Sequence, residues 1–163
     1  MENKTQNPSV FRILQSDYTA GLSLIMIIVV WGMYLILMYY GKIPGTYGRD
    51  PLTTSDAPGF LKIAIGGTLL GIPLLTWRIN FFNSLFKNAE KVTGYITYIH
   101  FYRDRGKVGY EYTYGNNNYT SHNAIFKSGR TKYYQQGDEI TLMVDPENPK
   151  KAVIRDLYVK KIL

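Results

Sequence analysis

The chain has 163 residues, no cysteine and a formal charge of +7 at pH 7. This length leaves room for a membrane anchor and one small domain, not for a large catalytic fold or a multi-helix transporter. The missing cysteine excludes disulfides, a lipobox, thiolate metal sites and a cysteine nucleophile. A mean hydropathy of −0.16 conceals two halves, because from Arg78 onward 14 Lys and Arg face only 8 Asp and Glu. Positive charge beside an apolar anchor fits attraction to anionic lipid headgroups and a cytoplasmic address, and speaks against nucleic acid as a partner.

Residues 1–18 are read as an N-terminal cytoplasmic segment. Residues 19–40, TAGLSLIMIIVVWGMYLILMYY, hold no charged side chain. At 1.5 Å per residue such a helix reaches roughly 33 Å, enough to cross a hydrocarbon core of about 30 Å. Tyr18, Tyr39 and Tyr40 stand where interfacial anchors belong. The run is too long for a signal-peptide core and leads into Tyr-Tyr-Gly-Lys rather than a small-residue cleavage site. A second, weaker span is expected over residues 59–77, with Lys62 snorkelling at one end and Trp77 with Arg78 marking the other interface. The Pro- and Gly-rich stretch between the spans predicts an irregular, exposed loop. Residues 19–82 thus form a transmembrane helical hairpin.

Lys4, Arg12, Arg78, Lys87 and Lys91 outnumber Lys42, Arg49 and Lys62, which puts both termini in the cytoplasm. Gly67 and Gly71 form a G-x-x-x-G. Its sharper reading is a dimerisation face and hence a homo-oligomer; its plainer reading is packing against the first span of the same chain. Pro73 is expected to bend the second helix.

Past the amphipathic connector NFFNSLFKNAEK, residues 83–163 change to strand-like alternation. Strands are expected at 92–102, 107–114, 118–126, 138–145 and 151–156. Val108, Tyr110, Tyr112 and Tyr114 should share an inward face opposite Lys107, Gly109, Glu111 and Thr113. Arg103-Asp104-Arg105-Gly106 and Gly115-Asn116-Asn117-Asn118 supply hairpin turns, and Asp145 with Pro146 turns the chain into the last strand. Ile140, Leu142 and Val144 are assigned to the core, with Thr141 and Met143 outside. The fold class is α+β: a two-helix transmembrane hairpin followed by a small antiparallel barrel-like β module.

The order of two spans, Gly94-x-Ile96, the Tyr110-x-Tyr112-x-Tyr114 strand, Tyr119-Thr120-Ser121, and Gly137-Asp138-x-Ile140-x-Leu142-x-Val144-Asp145-Pro146-x-Asn148-Pro149 resembles the bacterial domain-of-unknown-function family 3592. The resemblance covers about residues 90–156. It implies a membrane-tethered β module, which places the chain in a bacterial inner membrane, and no established reaction.

Two histidines exist, His100 and His122, and the strand assignment would let them be neighbours across a sheet. A zinc site would require a further ligand such as Asp104, and no G-x-S-x-G elbow, Walker loop or dinucleotide fingerprint occurs. No metal or cofactor is therefore expected. Arg103, Arg105 and Lys107 cluster in one hairpin and Lys150 and Lys151 flank another, so one rim of the module is a candidate contact for headgroups or a partner protein. Lys160 and Lys161 extend that basic character. The leading reading is a non-enzymatic, membrane-anchored accessory or binding subunit. A small pore or transport component is second, opposed by the lack of ionisable residues in mid-span. A membrane-bound hydrolase using His100 and His122 is third.

Overall fold

The computed structural model describes residues 7–45 and 50–159. Lys4, Arg49, Lys160 and Lys161 lie outside the described residues. In chain order the elements are α1 (Val10–Ser16), α2 (Tyr18–Tyr40), β1 (Lys42–Ile43), β2 (Leu52–Thr53), α3 (Ala57–Asn88), β3 (Glu90–Tyr102), β4 (Arg105–Tyr114), β5 (Asn117–Phe126), β6 (Glu139–Val144), β7 (Ala152–Ile154) and α4 (Arg155–Tyr158). They divide into two compact units: residues up to Gly21 together with those from Trp77 onward, and Leu22–Thr76.

The Leu22–Thr76 unit consists of parts of two helices that are long and apolar enough to cross a membrane, with mean hydropathies of 2.4 and 1.6 over their most apolar windows. Its large side chains face outward: Ile25, Ile28, Val29 and Leu35 on α2, and Ile63, Leu69, Leu70 and Ile72 on α3 are all exposed. A core helix of a water-soluble protein buries such a face instead. Trp31 Nε1 donates to Thr68 Oγ1 at 2.8 Å, and that hydroxyl in turn donates to the Ala64 carbonyl. α3 runs unbroken through Pro73. Between the helices the expected irregular loop contains a short antiparallel ribbon, Lys42 opposite Thr53 and Ile43 opposite Leu52. The ribbon leads into a capped turn in which the Thr53 amide donates to Asp56 Oδ2 at 2.9 Å, because Thr-x-x-Asp satisfies the orphan amides at a helix start.

The other unit is built on a five-stranded antiparallel sheet with strand order β5-β4-β3-β6-β7. Tyr, Val, Ile and Thr at alternate positions form it because they suit a pleated, half-buried surface. The β3–β4 and β4–β5 connections each hold two residues, with positive φ at Arg103 (55°) and Gly115 (59°). Gly94, between β4 and β6, is required for close approach. A Cβ there would lie 2.6 Å from Leu142 Cδ1 and 2.7 Å from the Glu111 carbonyl oxygen. The register slips at Thr97, between Ile96 opposite Tyr110 and Tyr98 opposite Gly109, so the side chains of β3 change face at a bulge. Beyond it Ile99 and Phe101 join the inner face, and Tyr98, His100 and Tyr102 join the outer one.

Val108, Tyr110, Tyr112, Ile140, Leu142 and Val144 are buried as the alternation predicts, whereas Gly109 and Met143 are buried against it. Gly109 is covered by the Tyr98 ring. Met143 belongs to the end of the sheet where Ala152, Val153 and Ile154 are also buried in succession, so that end is covered on both faces. The inner tyrosines are anchored: Tyr110 donates its hydroxyl to the Ala152 carbonyl at 2.6 Å, and Tyr112 donates to the Pro149 carbonyl. The two edge strands are joined by a side chain, since Asn123 on β5 accepts the amide of Ile154 on β7 at 3.0 Å. This leaves the sheet nearly closed.

Two sequence expectations are corrected around this sheet. The connector NFFNSLFKNAEK is not a separate element: residues 80–88 are the end of α3, whose Phe82 and Phe86 are buried, and Glu90 and Lys91 already belong to β3. Phe82 packs on Tyr158 with ring centroids 4.3 Å apart. The last strand stops at Ile154 because the chain turns helical to deliver Leu157 and Tyr158 to the same core. The described part of the N-terminal segment packs on the same core: Ile13 is fully buried, Ser16 Oγ donates to the Leu157 carbonyl at 3.0 Å, and Arg12 donates to the Val159 carbonyl at 2.6 Å. Asp17 separates α1 from α2. Its carboxylate accepts the Ala20 amide at 2.9 Å and is gripped by Arg78 through Nε (3.0 Å) and Nη2 (2.7 Å). Arg78 is therefore not a free interfacial cation.

Removing one partner of such a buried pair strands a charge. Asp17→Ala should destabilise this unit by about 3–5 kcal/mol, and Asp17→Leu combined with Arg78→Leu should lose less than either single change, as read by equilibrium unfolding of the purified chain. Burial, and then neighbouring Tyr119, pushes the Tyr112 hydroxyl up to about 12. Burial also raises Tyr110. A raised folded-state value favours the neutral form, so this contribution to stability is complete below the ordinary tyrosine value of about 10 and is lost as pH climbs through 12. Alkaline unfolding followed by near-ultraviolet circular dichroism should show that decline, and Tyr112→Phe should flatten it.

Candidate functional site

The outer face of the sheet collects the residues that chemistry would use. Register places His100 opposite Lys107 and Lys107 opposite Ala124, and places Gly109 between Tyr98 and His122. His100 and His122 therefore share a face but are not neighbours across a sheet, because β4 lies between their strands. The sequence alone assigned both to strands without fixing strand order. Among the described residues no group of three or more His, Asp or Glu is arranged to hold a metal ion. Asp104, the suggested further ligand, sits in the β3–β4 turn, where its carbonyl accepts the Lys127 amide at 2.8 Å. The His122 imidazole is held below its ordinary value, first by burial and then by the positive charge of Lys107.

Arg103, Arg105 and Lys107 do form one cluster, and the aromatic scaffold explains its order. Tyr102 ends β3 on the outer face, and the guanidinium carbons of Arg103 and Arg105 lie 5.4 and 5.5 Å from its ring centre. Such cation–π stacking holds long side chains in place without neutralising them. Among the described residues, no carboxylate lies within ion-pair distance of Arg103, Arg105 or Lys107. An open groove of about 440 Å³ runs beside them, lined by Tyr18, His100, Tyr102, Arg105, Gly106, Lys107 and Ala124. Tyr18, the first residue of α2, is fixed there by its ring against Phe126, with centroids 5.1 Å apart. Sequence reading treated Tyr18 as an interfacial anchor and missed it as a groove wall. Its partner Phe126 lies 108 positions later and leaves no local signal.

Lys150 and Lys151 do not extend this cluster into one rim. They occupy the β6–β7 turn beside Val144, which pairs with Glu90 at the start of β3, whereas Arg103 follows the end of that 13-residue strand. Lys151 also lies 4.0 Å from Asp145 Oδ2 and shares a second groove with Glu147. The two basic groups sit at opposite ends of the sheet. Gly67 and Gly71 lie within the other unit. A Cβ at Gly71 would come 2.8 Å from Ile27 Cδ1, and one at Gly67 would come 3.6 Å from Val30 Cγ2, so both face α2 of the same chain.

Residues 89–157 match a family model described as a domain of unknown function (DUF3592). That bears out the family read from the closing motif, over β3 to α4. No curated protein and no solved structure matches the chain.

The electrostatic link between Lys107 and His122 is directly measurable. Removing the cation removes a cause of the depressed imidazole value, so Lys107→Gln should shift the His122 midpoint upward. Histidine side-chain NMR titration of the two forms checks this.

Proposed function

We propose that the chain is a non-enzymatic, membrane-anchored accessory or binding subunit whose β unit contacts a partner protein or stabilises a membrane assembly. The observation that carries this reading is the combination of two outward-facing apolar helices with a shared attachment. α2 leaves and α3 re-enters the same compact unit, where Asp17 and Arg78 are joined by a forked ion pair. A bilayer would cover the exposed faces of Leu22–Thr76, since apolar side chains of this number are unfavourable in water. A two-span hairpin with that attachment keeps the N-terminal segment and the sheet on one side of the membrane. The excess of Lys and Arg on that side favours the cytoplasm, here the cytoplasmic face of a bacterial inner membrane. The unit offers a tethered surface for recognition rather than a gathered set of acid, base and nucleophile.

The absence of cysteine makes the topology testable without background. Asp50→Cys in the loop between the helices should react with an impermeant maleimide on intact cells, and Asn116→Cys at the β4–β5 turn should react only after permeabilisation. The opposite pattern would reverse the orientation. Release of the chain by alkaline extraction would overturn membrane insertion itself.

A further inference from the structure

The basic groove on the outer sheet face has the chemistry of a site for one anionic phospholipid headgroup, and we infer that this is its occupant. The inference rests on the membrane reading above and goes beyond it by assigning a ligand and the residues that hold it.

Three observations converge on it. First, the groove wall contains Tyr18, the residue at which the uncharged run of α2 begins, so a spanning α2 sets this wall at the level of the headgroups. Second, Arg105 and Lys107 line the groove, and Arg103 in the adjoining turn lies against the same Tyr102 ring. No acidic residue lines it. Guanidinium and ammonium groups donate to phosphate oxygens through charge-assisted hydrogen bonds, and these cations have no carboxylate to satisfy them among the described residues. Third, the remaining lining is apolar or aromatic, from Tyr18, Tyr102 and Ala124, which suits the glycerol and first acyl carbons better than it suits a free inorganic ion. The volume, about 440 Å³, falls in the range of small-ligand sites. His100 completes the polar side of the groove and can donate to a phosphate oxygen from its imidazole. The second groove, beside Lys151, lacks this character because Asp145 and Glu147 line it as well.

The test uses the full chain purified in a neutral detergent, with native mass spectrometry reading lipid retained from mixed micelles of phosphatidylglycerol or phosphatidylcholine. The wild-type chain should retain phosphatidylglycerol in preference to phosphatidylcholine. Arg105→Ser and Lys107→Ser should each weaken that retention about fivefold, and the pair together should abolish the preference. Lys150→Ser with Lys151→Ser should leave it intact. Each variant is first checked for an unchanged circular dichroism spectrum, and Arg105→Lys, which keeps the charge, should recover most of the binding. Equal retention of the two lipids, or a phosphatidylglycerol preference indifferent to Arg105 and Lys107, would overturn the site. So would saturation by inorganic phosphate with no lipid preference, which would reassign the groove to a soluble anion. Alkaline extraction of the same chain from membranes reads separately whether it is inserted, so failure of the site is distinguishable from failure of the anchor.

Discussion

The forked pairing of Asp17 with Arg78 is the constraint on which this architecture depends. A carboxylate that is 2 % exposed is costly to desolvate, and it is tolerable only because every oxygen has a donor. Oδ1 accepts both the Ala20 amide and Arg78 Nε, and Oδ2 accepts Arg78 Nη2. The same residue closes α1, with its own amide on the Ile13 carbonyl at 2.8 Å, and opens α2. One aspartate thus ends a short helix, starts a long one and ties it to α3. The guanidinium is held in turn over the rings of Phe81 and Phe82, 4.9 and 5.0 Å from their centres. Phe82 leads to Tyr158 and the core of the sheet. Charge and aromatic packing therefore connect the helix ends to the β unit without a disulfide or a metal ligand.

The recurring motifs of the β segment acquire a physical meaning through the inner tyrosines. The Tyr110-x-Tyr112 strand and the Asp145-Pro146-x-Asn148-Pro149 turn stand far apart in sequence, yet the tyrosine hydroxyls satisfy carbonyls of Ala152 and Pro149. Asp145 shapes that turn locally: its Oδ1 accepts the Glu147 amide at 3.0 Å, and its backbone amide donates to the Lys151 carbonyl. A proline-rich turn has few amides of its own to pair with its carbonyls. Donors supplied from β4 answer that shortage and fix where β7 lies.

Features written in local periodicity were legible from the sequence. The uncharged run of α2, the strands β3 to β6 and the inward column of Val108, Tyr110 and Tyr112 follow from spacing alone. What escaped depended on partners distant in the chain. Arg78 reads as an interface marker until Asp17, 61 positions away, is placed beside it. The turn at Arg155–Tyr158 continues a strand-like pattern until Phe82 supplies a ring for Tyr158 to meet. The bulge at Thr97 leaves no composition signal, yet it decides that Tyr98, His100 and Tyr102 share a face with Lys107. The groove was half legible: its cations stood together in one turn, but Tyr18 came from before the helical hairpin.

The sheet unit is assembled from the two ends of the described chain, and that has a consequence for biosynthesis. Ser9 donates its amide to the Tyr158 carbonyl, and Arg12 reaches Val159 across 147 positions. Residues 9–16 therefore find their seat only after Leu157–Val159 have emerged from the ribosome. Ile13 must wait uncovered while both long helices and all of the sheet are made, and sequence-distant closure of this kind is slow. Until then α1 is a seven-residue stretch with no stable structure of its own. Emergence of α4 and Val159, rather than of any strand alone, is the event that locks this unit.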